Sequence, residues 1–327
     1  MPTPPAAAHE RGTAPVVLAC GLATLDVTQV VDALPGPDEK IVARSLDVHA
    51  GGPALNAAIT AARLGCTVRL VSRVGAGAPA AAVASELAAE HIELVDAAGE
   101  GWNLALSTVL VTASTGQRAV VSTNATTLGA PARLPDGVLD GVVAVLVDGH
   151  HLDLAVPLAA AARAAGIVVL LDGGSWKPGL DALLEHVDVA VLSADFRAPG
   201  ATGSAATLDA VHRYGPTVLA QSHGPGPVDV ASWRPDDAPA SAAPVRARLD
   251  VTQLDRADVV DTLGAGDVLH GALLAAVAHR GTQRWEATLE ALAAACEVAT
   301  ASVTFPGARG WTDDLSTVEL LRQRIAP

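Results

Sequence analysis

The sequence predicts an α/β fold, with a mostly parallel central sheet between two layers of helices and a small β-lid. Three observations predict it. Short apolar runs alternate with alanine-rich stretches of helical character along the first two thirds of the chain. Two segments, about residues 26–48 and 102–121, instead mix polar and β-branched residues without helical periodicity. A glycine turn late in the chain opens a long apolar helix. Alternation of strand and helix favours a parallel sheet with helices on both faces.

The elements follow in order. Strands are expected over 16–20, 68–71, 142–147, 167–171, 187–192 and 217–220. Helices are expected over 53–64, 79–90, 154–165, 180–186 and 208–214, then 265–280, 285–303 and 316–323. The run STVLVTASTGQRAVVST reads as a hairpin around Thr115 and Gly116. It places the second lid segment in a β-structure, and Trp102 is the one aromatic in that lid. Residues 234–243, rich in Pro, Asp and Ala, read as a loop. Residues 1–14 read as a disordered tail, leaving 15–327 as one domain with the two lid segments inserted.

Composition narrows the function. Of 327 residues, 50% are hydrophobic, enough to bury a large core. Aromatic residues make up only 2%, so a ligand site here does not rest on stacked rings. The net charge of −14 opposes broad binding to a nucleic-acid backbone, which needs Lys and Arg patches. Cys20, Cys66 and Cys296 sit in apolar runs without CxxC spacing, which reads as buried thiols in a reducing compartment. The N-terminus lacks a signal peptide's basic start and apolar run, and no apolar run is long enough to span a bilayer. A cytoplasmic protein without nucleic-acid or membrane partners is the expectation.

The most informative stretch is VVDTLGAGDVLHGALLAAVAH, residues 259–279. Gly264 and Gly266 permit a tight turn and close approach of a ligand to the backbone. The first amides of the following helix have no partners within it, and the helix dipole adds partial positive charge. Together they form an anion site suited to a phosphate in transfer. Asp267 beside such a turn would repel a phosphate unless it takes a proton from an attacking hydroxyl. The plainer reading is an acid that complements the dipole. The stretch is not a Walker A loop, since no Gly-Lys-Ser/Thr follows, and CGLATLD at the first turn is no dinucleotide fingerprint.

DTLGAGD resembles the C-terminal signature of the ribokinase-like (PfkB) carbohydrate kinases, and HAGGPALNAAITAARLG, residues 49–65, resembles their N-terminal one. The resemblance runs over residues 16–314. It implies a ribokinase-like three-layer fold with a β-lid, and ATP-dependent transfer of the γ-phosphate to a sugar hydroxyl. In that family Asp267 would be the catalytic base, with Gly264, Ala265 and Gly266 as the anion hole. Gly51, Gly52, Asn56 and Asp26 would hold the sugar, Asp26 gripping hydroxyls. Read alone, Asn56 is also compatible with a solvent-facing helix residue and Asp26 with a turn aspartate.

Two places depart from the family pattern. An Asn-x-x-Glu segment that organises magnesium and phosphates is here VLSADFR, so Ser193 and Phe196 take those positions. The nucleotide segment reads QSHGPGP, giving Ser222, Gly224 and Gly226 as nucleotide-binding candidates. Magnesium is implied. A potassium ion is a further possibility, with Asp261 and the loop at Gly307 as its site, although Asp261 is equally a capping aspartate.

Three stretches, DEKIVARSLDVHAGGPALNAAITAARLG, VVDTLGAGDVLHGAL and TFPGARG, are most similar to the sulfofructose-kinase and ketohexokinase-like branch. Lys40 matches a lid lysine there, or is a solvated lysine. Ser122 and His150 stand where that branch carries an asparagine and an arginine. His150 follows a strand's C-terminal end, where open α/β sheets bind ligands, and is read as a substrate contact or a loop histidine. With serine and histidine in those places, a ketose or related polyol, neutral or weakly anionic, is expected. The alternatives are a nucleoside kinase of the same family and a sugar-binding regulatory protein without catalysis. Lid edges present a surface for a homodimer.

Overall fold

The computed structural model describes residues 14–123, 134–233, 243–281 and 285–326. The chain opens with β1 (Val16–Cys20), β2 (Thr24–Val31), β3 (Ser45–Gly51), α1 (Pro53–Arg63), β4 (Thr67–Ser72), α2 (Ala78–Ala89) and β5 (Glu93–Asp96). It continues through β6 (Ala105–Thr112), β7 (Arg118–Ser122), β8 (Val142–Val147), α3 (Leu152–Ala164), β9 (Val168–Gly173), α4 (Leu180–Leu184) and β10 (Val189–Leu192). Then come α5 (Ser204–His212), β11 (Val218–His223), β12 (Gly226–Ser232), β13 (Val245–Leu249), α6 (Ala265–Arg280), α7 (Trp285–Ser302), a 3-10 turn (Gly310–Asp313) and α8 (Leu315–Ile325).

Nine strands form the main sheet in the order β13-β12-β11-β10-β9-β8-β1-β4-β5. Strands from β5 to β11 are parallel, and β12 and β13 close the far edge antiparallel. Central strands such as β1 (VVLAC) are apolar on both faces because both faces are covered. One core lies between the sheet and α1, α2, α6, α7 and α8, and the other between the sheet and α3, α4 and α5. The chain leaves β1 toward β4 on one side, and β8 lies on the other. The crevice above the C-terminal ends of β1 and β8 is therefore the topological switch point, where open α/β sheets place ligands.

The lid is a separate four-stranded sheet, β3-β2-β6-β7. Its register sets His49, Asp26, Ser107 and Ser122 in one row across all four strands, on one face. The hairpin expected at Thr115 and Gly116 joins β6 to β7, and Gly116 takes a φ of 68° there.

Three expectations are corrected. Trp102 is not a lid residue: it precedes β6, is buried, and donates from its indole to Arg73 O at 3.1 Å. The Arg73 guanidinium lies over its ring and His151 meets it edge-on. The lid starts at Thr24 and Ala105, since strand pairing rather than polarity sets its limits. Strands β5, β12 and β13 were not foreseen; each is at or next to a sheet edge, where one face is open and the apolar run breaks up. The segments 1–13 and 234–242, expected as tail and loop, fall outside the described residues.

Candidate active site

Asp267 stands in the first turn of α6, beside the left-handed Gly264 that caps it (φ 74°). A Cβ at Gly264 would lie 2.2 Å from the Cβ of Ala308, so glycine is required by both backbone and space. The turn faces α1, which Pro53 opens directly after Gly52 (φ 98°). Asn56 is buried and donates from Nδ2 to Asp267 Oδ2 at 2.7 Å, joining the two glycine motifs across 211 residues. Gly271 makes that approach possible, because a Cβ there would sit 2.4 Å from Ala57 O.

Asp267 is not the only carboxylate. Asp172, at the C-terminal end of β9, lies with its Oδ2 3.4 Å from His270 Nδ1. The imidazole of His270 also lies 2.7 Å from Gly266 O and 3.1 Å from Val191 O, pinning the first turn of α6 to the sheet. Burial raises the Asp172 pKa, and His270 opposes that shift. Burial, with the nearby Asp172 charge, pushes Asp267 up to about 7, against the lowering effect of the Asn56 hydrogen bond. An acid that is half ionised near neutrality is matched to proton transfer at that pH.

Asp148, just past β8, ties the crevice together. Its carboxylate accepts the amides of Leu22 at 2.8 Å, Ala54 at 3.2 Å and His150 at 2.8 Å. It fills the space over Gly21, where a Cβ would lie 2.0 Å from Asp148 Oδ1. One buried acid thus fixes the ends of β1 and β8 and the start of α1. His150 points to the same crevice and meets Lys177 Nζ through Nε2 at 2.9 Å. Burial lowers the pKa of both groups, so His150 is uncharged at neutral pH.

From the lid, Asp26 Oδ1 accepts the Thr24 hydroxyl at 2.8 Å, and Asp26 lies over Gly51, where a Cβ would fall 2.0 Å from its Oδ2. Ser107 donates to Ser122 at 3.1 Å beside it. Ala50, one residue before the glycine pair, is held at both backbone groups. Its amide donates to Glu86 Oε2 at 2.8 Å, and its carbonyl accepts from Arg309, which also pairs with Glu86.

On the other flank, Gly224 (φ 61°) turns β11 into β12, and Ser222 donates to Leu192 O at 3.4 Å. Gln253, on the way to the α6 turn, donates to Pro225 O at 2.8 Å. Gly226 lies against His223 in that hairpin. Ser193 donates to Gly174 O at 2.8 Å, whereas Phe196 is fully buried against Trp176. Asp261 and Gly307 do meet, the Gly307 amide donating to Asp261 Oδ2 at 3.0 Å.

The structure therefore brings Asp26, Gly51, Gly52, Asn56 and Asp267 to one crevice, with His150 at the ends of the same strands. It does not bring Lys40 there: that residue is exposed in the loop between β2 and β3, whose base is closed by the Arg44–Asp32 ion pair. Asp148, Asp172, Lys177 and Ser107 were missed. The strand-end rule applied to His150 would have found Asp148, Asp172 and Lys177, all of which lie at or just after the ends of β8 and β9.

The profile of the pfkB family carbohydrate kinases matches residues 15–314. The chain belongs to that family, and it is a carbohydrate kinase. A provisionally named ribokinase from Agrobacterium tumefaciens superposes with a TM-score of 0.75 at 26% identity, over 95% of this chain and 98% of that one. The Arabidopsis thaliana ribokinase in complex with ribose and ATP gives 0.70 at 22%, over 95% and 99%. A fructokinase from Xylella fastidiosa with bound ATP gives 0.69 at 19%, over 94% and 98%. The last two, at their low identity, show the shared fold. Among the described residues no helix is long and apolar enough to cross a membrane.

Proposed function

We propose that this kinase transfers the γ-phosphate of ATP to a hydroxyl of a ketose or related polyol, with Asp267 as general base. The observation that carries the reading is the Asp267 carboxylate, held by Asn56 behind the Gly264 turn, with burial raising its pKa to about 7. A hydroxyl resting against Asp267 would lose its proton to it as the oxygen attacks phosphorus. The amides of Gly264, Ala265 and Gly266 at the start of α6 would hold the transferring phosphate. Asp26 and the serines in its row would accept and donate to the remaining hydroxyls, with Gly51 and Gly52 letting the ring lie against backbone.

Ser222, Gly224 and Gly226 are the proposed nucleotide side, on the hairpin beyond β10. Magnesium would neutralise phosphate oxygens during transfer. Phe196, packed in the core, offers no ligand, and no group of three His, Cys, Asp or Glu side chains suited to a metal occurs among the described residues. The ion would then be held mainly by the nucleotide's phosphates and water, as magnesium commonly is.

Charge around the crevice favours a neutral or weakly anionic sugar. His150 is uncharged, and Lys177 faces the charges of Asp148 and Asp172. A homodimer through the lid fits the exposed Leu46, Val48 and Val121, which the register places together on the lid's other face. The test is a coupled ADP-release assay over fructose, tagatose, fructose 6-phosphate, sulfofructose and a set of nucleosides. Turnover of a free ketose that falls by about 10²–10⁴-fold in Asp267→Asn, the range for loss of a general base, supports the reading. A preference for nucleosides, or an active Asp267→Asn enzyme, would overturn it.

A further inference from the structure

The family resemblance implies a monovalent cation between Asp261 and the loop at Gly307, beside the anion hole. The donors found there do not fit one. Asp261 Oδ1 accepts the Leu263 amide at 2.8 Å and also the guanidinium of Arg118. Its Oδ2 accepts the Gly307 amide at 3.0 Å. A cation needs oxygen lone pairs, and three N–H donors, one of them carrying a full positive charge, already occupy most of those on this carboxylate. The pair lies at the surface between lid and body, with side-chain exposures of 27% for Arg118 and 21% for Asp261.

The origin of Arg118 gives the contact its meaning. It starts β7, an edge strand of the lid, 143 residues from its partner. Its register with Val111 puts it on the lid face that carries Asp26, Ser107 and Ser122. Asp261 holds the amides of Leu263 and Gly307, which flank Gly264 on either side: Leu263 precedes it, and Ala308 packs on it. A bare carboxylate there would oppose a phosphate at the anion hole, and an adjacent positive charge removes that opposition.

We propose that Arg118 is the built-in cation of this site. Its guanidinium takes the place of the monovalent ion at Asp261, so that turnover needs no potassium. Arg118 is a positioning residue in this scheme: it acts on the anion hole through Asp261. The other lid edge, β3, is fastened to the same loop through Arg309 and Ala50. The lid is thus tied at both edges to the segments that flank the Gly264 turn.

The kinetic arm of the test rests on the kinase reading; the binding arm does not. Rates and melting temperatures are measured in potassium, sodium and tetramethylammonium chloride at equal ionic strength, for the intact chain and for Arg118→Ala and Arg118→Lys. The intact enzyme should be indifferent to the ion in both readouts. Arg118→Ala should lose activity in tetramethylammonium by a factor in the range of about 5–150, typical of coupling between sites. Potassium should restore that activity and raise the melting temperature of this variant alone. Arg118→Lys, which keeps a charge, should stay indifferent. An intact enzyme activated by potassium would overturn the proposal. So would an Arg118→Ala variant that is unaffected, or one impaired equally in every salt. A chain that phosphorylates no ketose would remove the proposed function, while the melting data would still decide the cation.

Discussion

At the scale of single residues, Asp267 carries a testable pH signature. Its folded pKa, about 7, is above the usual 3.8, because burial and Asp172 disfavour the charge. A general base works only when ionised, so, with Asp267 in the proposed part, kcat/KM should rise with pH through a midpoint near 7 and level off above it. The stability consequence has the opposite sense. The folded state binds this proton more tightly than the unfolded state, so stability falls as pH rises from about 4 to about 7. Asp267→Asn removes that cost while keeping the contact with Asn56. Its melting temperature should exceed that of the intact enzyme at pH 8 and match it more closely at pH 4, and a variant that melts lower at pH 8 would refute the assigned burial. Lys177 and Lys40 give a second contrast. Lys177 sits against His150 in the crevice, and Lys40 is exposed on the lid loop. Lys177→Ala should raise the Michaelis constant for fructose 6-phosphate relative to fructose, and Lys40→Ala should leave the ratio unchanged; the reverse pattern would restore the lid lysine. The difference between these lysines also marks what the sequence could show. Asp267, Gly264 and Asn56 sit in two local motifs whose chemistry is written in adjacent residues. Asp148 and Asp172 are isolated letters after strands, and their meaning comes from burial and from partners far along the chain.

At the scale of elements, the site depends on how closely α1 and α6 approach. Both helices are alanine-rich, and Gly271 of α6 lies directly against Ala57 O and the Thr60 side chain of α1. A methyl group there would stand 2.4 Å from Ala57 O and 2.7 Å from Thr60 Cβ, so one helix must move. Gly271→Ala should destabilise the protein by about 1–3 kcal/mol, the usual cost of overpacking, even though alanine is the better helix former. It should also lower kcat, because the same shift would draw Asn56 away from Asp267. Thermal melts and steady-state kinetics check both, and an unchanged melting temperature would mean that the helices have slack. The helix ends themselves were readable: Ala265–Arg280 is bounded by Gly264 and Gly281, both at positive φ. Buried central strands were readable for the same kind of reason, since covering both faces demands continuous apolar runs. Edge strands such as β13 (VRARL) have arginines on their open side and carry no such mark.

At the scale of the whole molecule, the lid is a sheet with two unlike faces. The inner face holds Asp26, Ser107, Ser122 and Arg118. Period-two alternation sends Val27, Leu46, Val48, Leu106, Leu110 and Val121 to the other face. On that outer side Leu46 is 61% exposed, Val48 45% and Val121 75%. Gln29 and Thr108 interrupt this face, but the exposed Leu46, Val48 and Val121 are costly to leave in water, and a second copy of the same face would cover them, since twofold pairing matches like with like. The inner face is already committed to the crevice, so dimerisation of this kind would not compete with substrate. Light scattering should therefore report twice the chain mass. Leu46→Glu combined with Val121→Glu should halve it, since each charge would have to be buried twice in a twofold contact. The lid is fastened to the main body at both edge strands, by Arg118 to Asp261 and by Arg309 to Ala50 and Glu86. Pairing across the outer face would stiffen a sheet that is already anchored, and the monomeric variant should accordingly show a higher sugar Michaelis constant with its ATP value unchanged. A double variant that still runs at the dimer mass would assign the interface elsewhere.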